Sequence, residues 1–166
     1  MTAIFEQLAV SDQLCIAAEN DKNSVTISGD DEALDAVGTY LETERKDVFW
    51  RKLATHKAFH SHHMESIKDE FIQQIKEANI KTKMSQTKFI SSTDGKKLYG
   101  SEFDDEYWWR NLRNPVLFNA CGTEMLAEGC RTIIEISPRP VLSYYVKTIA
   151  KQNNLEDIIS IQVHTN

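Results

Sequence analysis

Four of the five histidines in this chain, His56, His60, His62 and His63, fall within eight residues. Imidazole exchanges a proton near neutral pH and is also the commonest neutral metal ligand, so this density offers two kinds of chemistry. His56 and His60 would share one face if their segment were helical, as a zinc site would need. The segment follows an extended run, however, and no nearby carboxylate or cysteine completes a tetrahedral set, so the sequence predicts no metal site. A histidine between the end of a strand and the start of a helix is well placed to act as a general base, because the strand fixes its backbone. A base needs a nucleophile, and no serine here lies in a G-x-S-x-G turn. Ser61 adjoins His60 but stands where a helix begins, where capping is its expected task. On the residues alone, the cluster offers an acid–base candidate without an attacking partner, and an exposed or core-satisfied histidine remains an open alternative.

The elements around this cluster follow from pattern. Residues 13–18 and 24–28 are β-prone and separated by a polar stretch at 19–23, which reads as a hairpin loop. Gly29 and Asp30 stop the second strand, and Leu34, Val37 and Leu41 then recur at helical spacing behind an Asp able to cap the first turn. With residues 2–5 as a first strand and 48–53 as a last, the order suits a small α+β lobe of ferredoxin-like type. Beyond Leu53 the pattern changes. Met64, Ile67, Phe71 and Ile75 mark an amphipathic helix, and residues 88–91 a short strand. Residues 107–112 read as helical. Pro115 is expected at the first position of a further helix carrying Leu117, Cys121 and Met125, with Gly129 as its stop. Residues 132–137 are apolar except for Glu135 and predict a strand buried in a parallel sheet. Val141, Tyr145 and Ile149 open another helix, and residues 158–163 a last strand. The expected division is a small lobe at residues 1–54 and an α/β layer at residues 55–166 with its earlier strands absent.

Composition bounds the partners. The 166 residues are 41% hydrophobic and 9% aromatic, enough to bury a core. Nineteen basic against 25 acidic residues give a net charge of −6 with no basic stripe, which argues against nucleic acid. Apolar stretches fall far short of the ~20 residues that cross a bilayer, and no signal peptide opens the chain. A soluble, cytoplasmic protein is expected. Cys15, Cys121 and Cys130 are odd in number and far apart, so they are read as reduced thiols rather than a disulfide framework.

Read together, four segments resemble the malonyl-CoA:acyl carrier protein transacylase family, and in particular the acyltransferase domains of type I polyketide and animal-type fatty acid synthases. NSVTISGDDEAL (residues 23–34) resembles the strand and turn of the family's small lobe. KAFHSHHM (57–64) resembles the pattern around its catalytic histidine, usually written with a HAFHSPxM-like core. YWWRNLRNPVLF (107–118) and GCRTIIEISPRPVLS (129–143) resemble the two motifs that close the domain. The likeness runs from about Met1 to about Ile149, in the right order and spacing.

The resemblance implies an α/β fold, with a partial α/β-hydrolase-like large lobe beside the small ferredoxin-like α+β lobe. It implies ping-pong acyl transfer from malonyl-CoA to the phosphopantetheine thiol of an acyl carrier protein, with no bound cofactor. His60 is then the base, Asn111 the residue whose backbone carbonyl orients its ring, and Phe59 the aromatic that leaves no room for an α-methyl on the substrate. The family's GHSxG serine, its carboxylate-binding arginine and its oxyanion-hole glutamine all fall before Met1. The chain is therefore expected to be the C-terminal part of such a domain, inactive by itself. Its expected partners are the carrier protein, the missing N-terminal part and neighbouring synthase domains. Lys57, Ser137 and Arg139 depart from a usual histidine, glycine and histidine. A non-catalytic module that binds carrier protein through Arg110 and Arg113 is the alternative.

Overall fold

A computed structural model describes residues 1–55 and 57–163, so His56 lies outside the described residues. The chain divides into two compact units, and each is discontinuous in sequence. The first comprises Met1–Ala18, Thr26–Lys81 and Phe103–Pro115, the second Glu19–Val25, Thr82–Glu102 and Val116–Asn166. Residues 57–81 belong to the first unit with the segments before them.

The first unit opens with helix α1 (Thr2–Gln7) where a strand is expected. Phe5 is buried there with Val10, Leu14, Ala33, Val37 and Leu41, and Ile4 and Leu8 pack on the same cluster. Burial of that helical stripe outweighs the strand propensity of Ile4 and Phe5. Strands β1 (Leu14–Asp21) and β2 (Ser24–Gly29) pair across two residues, a connection short enough only for an antiparallel hairpin. The first strand thus runs through most of the predicted loop. Its turn is closed by the Asn23 N–H, which donates to Asp21 Oδ1 at 2.7 Å.

Helix α2 (Asp31–Glu44) follows, with Val37 completely buried. The run at 48–53 forms no strand; Val48 and Trp50 instead pack onto the core of α2. Gly38 permits this, since a Cβ there would lie 2.2 Å from the Trp50 ring. Among the described residues the expected four-stranded lobe therefore has only β1 and β2. A 3₁₀ segment (His62–Ile67) leads into α3 (Lys68–Glu77), so the predicted amphipathic helix begins as a tighter one. Helix α4 (Asp105–Arg113) is capped by Asp104, whose Oδ1 accepts the Tyr107 N–H at 2.7 Å.

In the second unit β3 (Phe89–Ser91) and β4 (Lys96–Leu98) form an antiparallel pair. Helix α5 (Phe118–Ala127) begins three residues after Pro115, which is not its first residue. It ends as expected at Gly129, with φ of 84°. The Gly129 and Cys130 N–H groups donate back to Leu126 and Met125 oxygens, a Schellman stop that only a left-handed residue permits readily. Strand β5 (Thr132–Ile136), helix α6 (Leu142–Gln152) and strand β6 (Ile159–Val163) make a βαβ unit with β5 and β6 parallel and Thr132 opposite Ile159. Leu126, Ile149 and Ala150 form its core, and Gly122 lets α5 approach Ile149. Contrary to the burial predicted for β5, Ile134 is 57% and Ile136 76% exposed. Among the described residues no helix is long and apolar enough to cross a membrane.

Glu135 is the exception in β5 both in sequence and in surroundings. Its carboxylate accepts the N–H groups of Val141, Leu142 and Ser143 and the hydroxyls of Ser137 and Ser143. Those three N–H groups open α6 and have no partner within the helix. The Ser143 hydroxyl and the Val141 N–H hold the Glu135 carboxyl down to about 2, below the usual carboxylate range.

Candidate active site

The site is built where helix α4 ends. Pro115 offers no N–H and disfavours helical backbone in the residue before it. Asn114 accordingly caps α4 in an extended conformation, φ −85° and ψ 162°. Its carbonyl turns away from the helix axis and lies 2.7 Å from Nδ1 of His60. The Leu112 carbonyl belongs to the last turn, where helix acceptors lack internal donors, and it takes the His60 N–H at 3.2 Å. Backbone and ring of one histidine are thus held by two carbonyls from one helix end.

The other side of His60 is fixed as firmly. Ser61 is completely buried, its hydroxyl donates to the Ala58 oxygen at 2.6 Å, and its Oγ caps the 3₁₀ segment by accepting the His63 N–H. Capping is the role predicted for Ser61, and the structure bears it out. Between these anchors His60 has φ of 61°, the left-handed region that non-glycine residues adopt at a cost. Such backbone persists where surrounding bonds over-determine it, and it concentrates at functional positions.

This geometry fixes the tautomer. A carbonyl oxygen can only accept, so Nδ1 carries the proton and Nε2 presents its lone pair. His60 is half-buried and Phe59 beside it is 49% exposed. The carbonyl facing the ring is that of Asn114, not of Asn111. Asn111 lies inside α4, where its carbonyl follows the helix axis, whereas Asn114 has already left the helix. The signal was present in the sequence as the Asn114–Pro115 pair.

Around this centre, Glu65 of the 3₁₀ segment pairs with Arg113 of α4 at 2.6 Å. Arg110 lies over the Tyr107 ring, 5.8 Å from its centroid. Arg113 is thereby engaged inside the unit rather than presented alone to a partner. The three cysteines are free thiols, and burial pushes the Cys121 thiol up to about 11, which leaves it inert as a nucleophile.

Comparison with known proteins agrees with the motifs. The acyl transferase domain family matches residues 2–163, and the chain belongs to that family. The highly reducing polyketide synthase gloL of Glarea lozoyensis is 36% identical over 143 residues, which cover 84% of this chain and 6% of the synthase. The highly reducing polyketide synthase lcsB of Purpureocillium lilacinum is 41% identical over 133 residues, 76% of this chain and 5% of that protein. Among solved structures, the acyltransferase domain from module 8 of the salinomycin polyketide synthase superposes with a TM-score of 0.88 at 28% identity, covering 98% of this chain and 37% of that chain. The malonyl CoA-acyl carrier protein transacylase from Clostridium perfringens shares the fold, with a TM-score of 0.79 at 23% identity over 99% of this chain and 49% of that one. The mixed α/β architecture is that of acyltransferase domains, and the chain spans half or less of each.

Proposed function

We propose that this chain supplies the general-base part of an acyltransferase that moves malonyl groups from coenzyme A to the phosphopantetheine thiol of an acyl carrier protein. The observation that carries the reading is the His60 ring, held by the Asn114 carbonyl so that Nε2 is free to take a proton. The nucleophilic serine, the carboxylate-binding arginine and the oxyanion donors come from a segment outside this sequence. The large lobe completed by that segment is α/β-hydrolase-like. The 37% coverage of the salinomycin domain supports this division of labour.

In the first half-reaction, Nε2 of His60 removes the serine proton as the oxygen attacks the malonyl thioester carbonyl. The tetrahedral intermediate then expels the coenzyme A sulfur, which takes the proton back from His60. In the second, Nε2 deprotonates the carrier thiol, which attacks the acyl-enzyme and releases the serine oxygen to be reprotonated. Asn114, in the role expected of Asn111, keeps Nδ1 protonated and stabilises the imidazolium by a charge-assisted bond. Phe59 adjoins the base, and in this reading its ring is what excludes an α-methyl from the acyl group; one methylene is worth ~1–3 kcal/mol of discrimination. No resident cofactor enters these steps.

The test is malonyl loading followed by mass spectrometry. The chain alone should acquire no malonyl group; co-expression with an N-terminal half carrying the GHSxG serine should restore loading, and His60→Ala should remove it. Stoichiometric loading of the chain alone, lost on His60→Ala, would overturn the proposal.

A further inference from the structure

Asp30 precedes the first residue of α2, yet its carboxylate makes no capping bond to that helix. It faces the two histidines that follow the catalytic turn. Its Oδ1 lies 2.6 Å from Nε2 of His63 and 3.2 Å from Nε2 of His62. One ligand atom from each of the three residues lies within 4.8 Å of the others. Glu65, the carboxylate closest in sequence, is engaged by Arg113; the fold brings another to the histidines from 33 residues away.

We infer that Asp30, His62 and His63 form a binding site for a divalent transition-metal cation such as Zn2+. Two imidazole nitrogens converging on one carboxylate oxygen is a three-donor arrangement, and three protein ligands with one open position is a recurrent zinc geometry. With zinc–ligand distances of about 2.0–2.1 Å, the edges of a tetrahedron are roughly 3.3 Å. The His62 to Asp30 spacing already has that length. The His63 to Asp30 spacing must widen by about 0.7 Å, which the side chains, 47% and 39% exposed, are free to do. A water completes the set on the solvent side. Imidazole and carboxylate donors without thiolate select zinc, nickel or copper over calcium and magnesium.

Bound there, the ion ties the start of α2 to the residues immediately after His60. It braces the turn that carries His60 without using the His60 ring. The site stands independently of the proposed acyl transfer, because its test reads binding rather than activity.

The 166-residue chain is titrated with Zn2+ alone by calorimetry and, in parallel, with Co2+ by visible absorption. One equivalent should bind, with the intense d–d bands of a four-coordinate cobalt site. His63→Ala and Asp30→Asn should each weaken binding at least ~10-fold, since even outer-shell partners of a metal are worth that much. Cys130→Ser, which removes the exposed thiol, should leave it unchanged. All three positions are solvent-accessible, and far-ultraviolet circular dichroism checks that the variants remain folded. No binding, weakening by Cys130→Ser, or binding that survives both His63→Ala and Asp30→Asn would each overturn the site.

Discussion

Nδ1 of His60 lies 2.7 Å from the main-chain oxygen of Asn114, so the ring is oriented by a backbone atom that no side-chain substitution at 114 removes. In a domain completed with its N-terminal half, His60→Ala should lower malonyl transfer by about 10²–10⁴-fold, the usual worth of a general base. Asn114→Ala keeps the carbonyl and should stay within roughly threefold of the parent. Steady-state transfer to carrier protein measures both; equal losses for the two variants would contradict the backbone role.

Pro115 places that carbonyl. Pro115→Ala restores an N–H and frees Asn114 from the pre-proline restriction, so α4 can wind on and carry the carbonyl away from the ring. The expected result is a folded chain whose His60 loses its fixed Nδ1–H tautomer, read from the imidazole ¹⁵N shifts. Unchanged shifts would mean that something other than the proline sets Asn114.

What sequence could reveal here depended on whether the cause was local. The Gly129 stop, the Asp31–Glu44 helix and the capping Ser61 follow from neighbours within a few residues, and they stand as read. Thr2–Gln7 reads as a strand because Ile4 and Phe5 favour one, and only the distant core of Val37 and Leu41 makes it a helix. Asp30 reads as a cap for the same reason; its contact with His63 spans 33 residues and leaves no local trace. His60 was legible through its motif. The move from Asn111 to Asn114 turned on one backbone angle set by a proline that was itself in plain view.

Glu135 makes the second unit acid-sensitive. Its carboxyl sits at about 2 when folded and at the ordinary 4.5 when unfolded, so its stabilisation is full above about 4.5 and is lost as pH falls toward 2. Glu128, held by Lys88 and Lys97, titrates over the same window, also at about 2. Salt separates them: it screens the Glu128 ion pairs but leaves the Glu135 bonds to neutral groups largely intact. Acid unfolding followed by circular dichroism should therefore retain a salt-resistant component that Glu135→Gln removes. Glu135→Ala should cost about 3 kcal/mol or more at neutral pH by stranding the buried N–H groups that open α6.

Gly38→Ala tests the packing of the 48–50 segment. The new methyl would meet two Trp50 ring atoms at 2.2 and 2.4 Å, and the indole is also tied to Glu42 by its N–H at 3.0 Å. Overpacking of this kind costs about 1–3 kcal/mol. In a double-mutant cycle with Trp50→Ala the two losses should be less than additive, because each removes what the other clashes with. Strict additivity in urea unfolding would show that the ring moves aside freely.

The βαβ unit gives the last prediction. Parallel sheets normally have both faces covered, because crossover helices pack on them. Here β5 and β6 leave Ile134, Ile136, Ile159, Ile161 and Val163 between 43% and 76% exposed, and two parallel strands present open edges as well. Such a face has the character of one that other elements cover, and this chain spans 37% of the salinomycin domain. The chain expressed alone should therefore bind a hydrophobic dye and self-associate as concentration rises, by dimerisation or aggregation. Co-expression with an N-terminal half should suppress both, and Ile136→Lys, at the most exposed apolar position of β5, should reduce association of the chain alone while weakening its assembly with that half. Analytical ultracentrifugation decides the matter. A monodisperse monomer at tens of micromolar, with no dye binding, would mean that these strands are a finished surface and not one side of an interface.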